Sequence, residues 1–225
     1  MDFRRQKGIF DPEVYKSVKV NIIGVGAVGS FIALALAKMG LSDIEVFDPD
    51  KVEEHNLPNQ FYRREDVDEF KVIALEDIVW KFAGVRITTH SELYINQPLR
   101  GIVVCAVDSM DTRKDIWFQI RRQRLVELYV DVRMGGEVAW IFAIKPAMER
   151  EFYENNLYSS DEAFHIPCSE QSIIYTVLGT ACTTACIIKK YLCGEKYPKE
   201  LQLDFKLGII NQEGNIQCLA LNYQI

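Results

Sequence analysis

The segment VKVNIIGVGAVGSFIALALAKMG, residues 18–40, constrains the fold more than any other part of the chain. Val18, Val20, Ile22 and Ile23 read as a strand that runs straight into Gly24, Gly26 and Gly29. A stretch of Ala, Leu and Ile at helical spacing follows, closed by Gly40. A G-x-G-x-x-G between strand and helix lets the backbone come close to a phosphate, and the helix N-terminus adds unpaired N–H groups and the positive end of its dipole. A second strand, Ile44 to Phe47, ends in Asp48, roughly twenty residues beyond the glycines, where a carboxylate can accept from a ribose hydroxyl. The stretch therefore predicts a nucleotide site.

The rest of the chain extends this unit. Residues 1–17 form a polar N-terminal arm with a helix start at Asp11-Pro12, since proline is tolerated where its missing N–H costs nothing. Residues 50–69 are polar and irregular, a long loop with a short helical piece, and loops of that length in a compact domain are usually functional. Lys71–Phe82 has helical spacing, Arg86–His90 reads as a third strand, and GIVVCAV (101–107) as a buried parallel strand stopping at Asp108. A helix over 111–124, strands over 128–132 and 137–144, a second loop over 146–170, a long apolar helix over 172–192 and two short strands in the tail complete the order. The predicted fold is a single α/β domain over residues 1–225 with a nucleotide-binding core at 18–145. Its Rossmann-like, doubly wound sheet is mostly parallel, with antiparallel strands added toward the C-terminus.

Composition excludes several classes of function. With 225 residues and 48% hydrophobic content the chain can bury a substantial core, and a formal net charge of −6 argues against a broad nucleic-acid footprint. No apolar run approaches a membrane span, and the N-terminus lacks the apolar core of a signal peptide, so the expected location is cytoplasmic. The six cysteines contain no C-x-x-C and are expected as reduced, buried thiols rather than a structural zinc site.

The residues after the glycines narrow the reading. Asp48-Pro-Asp50-Lys-Val52-Glu-Glu-His-Asn56-Leu57-Pro-Asn-Gln60 resembles the D-x-D-x-V-x-x-x-N-L-x-R-Q signature of the ThiF, MoeB and ubiquitin-activating adenylating family. Lys71 stands where that family carries a lysine near the ATP phosphates. Val107-Asp108 with Arg113 resembles its T-D-N-x-x-x-R pattern, and Arg5-Gln6 its N-terminal R-Q, whose arginine reaches the nucleotide of a partner subunit. The resemblance implies ATP and Mg²⁺ as cofactors, a homodimer, and attack of a carboxylate on the α-phosphate of ATP. Gly24, Gly26 and Gly29 would shape the phosphate turn, and Asp48 would hold the ribose with Asp50 beside it. Asn56, Gln60, Lys71 and Arg113 would serve the nucleotide, and Asp108 would position Mg²⁺ or the reacting groups.

Cys168, after the second long loop, echoes the family's crossover region and is a candidate nucleophile for the activated acyl group; a structural cysteine beside Pro167 fits the sequence equally well. Asn59 departs from the family, which has arginine there, and leaves Arg63 and Arg64 as the nearest replacements. Asp131 and Arg133, at a strand end, are candidate substrate contacts. The implied partner is the C-terminus of a ubiquitin-like or sulfur-carrier protein, or a small-molecule acid. An NAD-dependent oxidoreductase would need the same glycines and Asp48 but not Lys71 and Asp108, and Asn59 leaves a non-catalytic nucleotide-binding regulator as a third reading.

Overall fold

A computed structural model describes residues 1–158 and 172–212 and the backbone of 215–218. Its nine strands form one sheet in the order β3-β2-β1-β4-β5-β6-β7-β8-β9. The parallel half comprises β1 (Lys19–Ile23), β2 (Asp43–Phe47), β3 (Thr88–His90), β4 (Gly101–Cys105) and β5 (Val126–Gly135). The antiparallel extension is β6 (Val138–Ile144), β7 (Glu200–Asp204), β8 (Ile209–Gln212) and β9 (Asn215–Cys218). The predicted doubly wound sheet with antiparallel strands added toward the C-terminus is the observed fold.

Helices cover both faces because the central strands are apolar on both. One layer packs Val20, Ile22, Ile44, Val46, Ile102 and Val104 against α2 (Ala27–Met39), α3 (Lys71–Ala83) and α6 (Ile174–Leu192). The other packs Ile23, Phe47, Val103 and Cys105 toward α4 (Met110–Ile120). There the fully buried Trp117, Tyr129 and Tyr153 meet edge-on or tilted, with ring centroids 4.6–5.4 Å apart, a geometry that adds to the burial of their area. Tyr153 belongs to α5 (Arg150–Glu154), a five-residue helix inside the stretch read from sequence as loop.

Two other expectations change. The tail forms three strands rather than two, although the turn residues 213 and 214 lie outside the described residues. Cys105 is buried as expected, whereas Cys182 and Cys186 are exposed on α6, one turn apart. The inward side of that helix is already filled by Val177, Ala181, Ala185 and Ile188, leaving Ile174, Tyr175 and Leu178 to share the outward stripe with the two thiols.

The N-terminal arm, with α1 (Pro12–Tyr15) capped by Asp11, packs at the far end of α2. Gln6 Nε2 donates to Met39 O at 2.7 Å, and Phe3 and Pro12 lie against Gly40. Among the described residues no helix is long and apolar enough to cross a membrane.

Candidate active site

The glycine turn is held open by its surroundings. Gly24 has φ +88°, and a Cβ there would lie 2.8 Å from Ala106 O, so β1 can leave the sheet only if residue 24 has no side chain. A Cβ on Gly29 would overlap the Gly24 carbonyl oxygen, so the first turn of α2 packs directly on the turn backbone. In front of Gly26, by contrast, nothing lies nearer to a Cβ than Gln60 Nε2 at 3.9 Å. Gly26 caps α2 without a side-chain hydrogen bond, leaving the helix N–H groups facing that space.

Val25, between the first two glycines, is fixed from both sides. Its N–H donates to Asp48 Oδ2 at 2.8 Å, and its carbonyl accepts from the buried Tyr62 hydroxyl at 2.6 Å. Asp48 Oδ1 accepts from the Asp50 N–H at 2.9 Å. Asp48 is only 6% exposed, and burial raises its pKa above the ordinary aspartate value, against the pull of the Lys71 charge and the two backbone N–H groups. Burial likewise pushes the Tyr62 hydroxyl well up, so it stays a donor. Each carboxylate oxygen retains lone-pair capacity for a ribose hydroxyl.

Lys71 opens α3. Its N–H donates to Asp50 O and its buried ammonium pairs with Asp50 Oδ2 at 2.9 Å, beside Asp48. Asn56 Oδ1 accepts from Glu53 N–H, and the Asn56 carbonyl accepts from the N–H groups of Asn59 and Gln60, so this residue winds the loop. Ser30 Oγ accepts from Phe61 N–H and ties the loop to α2. Gln60 Oε1 is buried without a partner among the described residues, an acceptor close to the open face of the glycine turn.

Asp108 stands at the carboxyl end of β4, exposed, immediately before Ser109, which caps α4. The neighbouring Ala106–Val107 backbone touches Gly24. Asp48, Lys71, Asp108 and the glycines thus share the rim where ligands of doubly wound sheets bind. They fit a nucleotide: an open cradle over a helix N-terminus, a buried carboxylate, a cation and an orphan acceptor. No cluster of three or more His, Cys, Asp or Glu that could hold a metal occurs among the described residues, so a cation here would rely on the phosphates for most of its ligands.

Other predicted residues are placed differently. Arg113 is 2% exposed and turns inward, donating to Asp131, to the Val107 carbonyl and, at 3.3 Å, to the Val132 carbonyl. It does not line the open rim. Asp131 is fully buried and accepts in addition from Arg133 Nε at 2.7 Å and the Tyr153 hydroxyl at 2.8 Å, so it is no substrate contact. Arg133 is also buried, donating to the Asn156 carbonyl at 2.9 Å and stacking on Phe142. Arg63 is committed to Asp66, Asp77 and Glu65, which raises its already high pKa and removes it as a stand-in for the missing arginine. Asn59 instead donates to Ser172 O at 3.3 Å. Exposed Arg5 sits with the arm at the opposite end of α2 from the glycines, and Cys168 lies outside the described residues.

The sequence matches the ThiF family over residues 11–207. The chain belongs to that family. It is 30% identical over 135 residues to the ubiquitin-like modifier-activating enzyme 5 of Rattus norvegicus, covering 52% of this chain and 34% of that one. With the NEDD8-activating enzyme E1 catalytic subunit of Arabidopsis thaliana it shares 31% identity over 106 residues, covering 44% of this chain and 23% of the relative. The chain thus spans about a third or less of the length of these curated relatives. Among solved structures, PaaA superposes with a TM-score of 0.69 at 17% identity, covering 92% of this chain and 66% of that one. E. coli MccB with ATP superposes at 0.67 and 16% identity, covering 90% and 65%. This ThiF-family fold carries the glycine turn and Asp108 on one rim.

Proposed function

We propose that the chain is an ATP-dependent adenylyltransferase acting on a carboxylate. One carboxylate oxygen attacks the α-phosphorus, the bond to the bridging oxygen of the β-phosphate breaks, and acyl-adenylate and pyrophosphate form. The observation that carries this reading is Asp108, an exposed acid without a partner among the described residues, beside a pre-shaped nucleotide turn. Hydride transfer has no use for it, or for the buried Lys71 ammonium. Asp48 would accept from the ribose. The α2 N-terminus, Gln60 and Lys71 would hold the phosphates, stabilising charge that builds on their oxygens. Asp108 would hold the Mg²⁺ carried by the triphosphate, which supplies Lewis-acid stabilisation when bound.

The family supports the reaction class, and MccB has been solved with ATP and with MccA. Relatives named as activating ubiquitin-like modifiers and NEDD8 support the C-terminus of a ubiquitin-like or sulfur-carrier protein as the carboxylate, with a peptide or small acid as the other choice. We further assign the working form as a homodimer, with Arg5 reaching the partner's nucleotide, and Cys168 as a candidate acceptor of the acyl group.

Exchange of labelled pyrophosphate into ATP, screened with carboxylates that include peptides ending in Gly-Gly, tests the reading. Exchange that needs a carboxylate and disappears in Asp108→Ala supports it; tight NADH binding without ATP binding overturns it. The Asn59 amide bound to Ser172 and the committed Arg63 favour one second reading, a nucleotide-binding regulator, which predicts ATP binding with no exchange. Transfer to an acceptor that survives Cys168→Ser removes the cysteine from the mechanism.

A further inference from the structure

Asp108 is exposed and its side chain makes no hydrogen bond or ion pair among the described residues, so its direction is set chiefly by its backbone. That backbone is held on both sides. Ser109, the next residue, caps α4 by accepting from Thr112 N–H at 3.3 Å. The preceding carbonyl, Val107 O, accepts from Arg113 Nη2, while Nη1 of the same guanidinium donates to Asp131. Arg113 sits one turn into α4, with its N–H on Ser109 O at 3.0 Å. Fixing Val107 O fixes the peptide plane that joins Val107 to Asp108, and with it the direction in which the Asp108 side chain leaves the chain.

Asp131 is the centre of this arrangement. The β4–β5 register pairs it with Cys105, the last residue of β4, so it lies beneath the turn that carries Asp108. Its other oxygen is taken by Arg133 Nε and the Tyr153 hydroxyl, which leaves Oδ1 to Arg113. Three charged groups buried together are a poor way to gain stability alone, because desolvation offsets most of their attraction. A planar guanidinium joining a fixed carboxylate to a backbone carbonyl does give directional restraint that a lysine or an apolar side chain would not.

We propose that Asp131 is a positioning residue for Asp108, acting through Arg113 on the Val107–Asp108 peptide. The proposal rests on the assignment of Asp108 to the metal carried by ATP. Calorimetry with α,β-methylene-ATP, without divalent metal and then with Mn²⁺ as the probe cation, tests it on the full chain.

Wild type should bind the analogue more tightly when Mn²⁺ is present. Asp131→Asn should bind the metal-free analogue within about twofold of wild type while its Mn²⁺-dependent tightening falls about tenfold. Arg113→Lys, which keeps the charge but lacks the planar fork whose two nitrogens reach the two acceptors, should lose the same tightening and keeps the test open should Asp131→Asn fail to fold. Combined with Asp108→Asn, neither substitution should cost any further tightening, since both act through that acid.

A merely structural role would weaken metal-free binding in step with thermal stability. Full Mn²⁺-dependent tightening in both variants, or losses additive with Asp108→Asn, overturns the positioning role. A wild type with no Mn²⁺-dependent tightening overturns the metal role of Asp108, and the positioning role with it.

Discussion

At the residue scale, the three glycines differ in what they do. Gly29→Ala drives a methyl into the Gly24 carbonyl oxygen, a backbone atom that cannot swing aside. Chemical denaturation should show it less stable by about 3 kcal/mol. Gly26→Ala meets nothing nearer than 3.9 Å, so it should unfold like wild type while calorimetry shows ATP affinity down at least tenfold, because the methyl fills the space before the α2 N-terminus. Asp48 gives a prediction in pH. Burial raises its pKa, so on acidification it protonates before an ordinary aspartate would, and its ability to accept from the ribose falls with it. ATP affinity should therefore decline on the acid side at a pH above 3.8, the unperturbed value, and Asp48→Asn should flatten that decline. Folding runs the other way. The buried site favours the neutral acid, so this group's contribution to stability is complete below pH 3.8 and is lost as the pH rises through the folded pKa.

At the scale of elements, the loop between β2 and α3 makes the site. Two short 3-10 turns, Glu54–Asn56 and Arg64–Asp66, are each closed by a side chain, Asn56 on Glu53 N–H and Asp66 on Arg63 N–H. Tyr62 carries the loop's order to the glycine turn through Val25 O. Tyr62→Phe removes that donor from a buried carbonyl and should cost about 1–2 kcal/mol in urea denaturation, with a several-fold loss of ATP affinity by calorimetry because Val25 is then fixed from one side only. This element also marks the limit of what the sequence discloses. Strands and helices were legible because their apolar periods are local, the glycine turn and Asp48 because they follow strand ends, and Lys71 and Asp108 only through the resemblance to the family's motifs. Tyr62 was not legible as a site residue, since its partner lies 37 residues away and no local pattern encodes that contact. The resemblance to the family's T-D-N-x-x-x-R pattern puts Arg113 at the nucleotide, but a pattern does not say which way a side chain turns. Its direction depends on the buried acid of β5, 18 residues on. The five-residue α5 is not legible in the sequence because so short a helix shows too little of its period.

At the scale of the whole molecule, the nucleotide rim and the N-terminal arm lie at opposite ends of α2. The thirteen residues of α2 run from Gly26, its N-cap, to the Met39 carbonyl that holds Gln6, about 20 Å at 1.5 Å per residue. Arg5 therefore cannot serve its own chain's glycine turn without the arm leaving its seat on Gly40. If Arg5 acts on ATP, it acts on a second copy, and there it would add to a rim where Asn59 brings no charge, Arg63 is committed elsewhere, Lys71 is partly neutralised by Asp50, and exposed Arg64 is the remaining arginine of the chain's own loop. Complementation between two defective chains tests this division. Asp48→Ala should abolish ATP binding at its own rim, and Arg5→Ala should leave ATP bound but remove the cation offered to the partner, so each alone should lose pyrophosphate exchange. In a re-equilibrated equal mixture about half of the dimers are mixed, and one rim of each has both native groups, so exchange should return to about a quarter of the wild-type rate. The mixture should show no recovery when the dimers are kept from exchanging subunits. Exchange undiminished in Arg5→Ala alone, or a mixture no better than its parts, would leave each rim dependent on its own chain, with Lys71 as its buried cation.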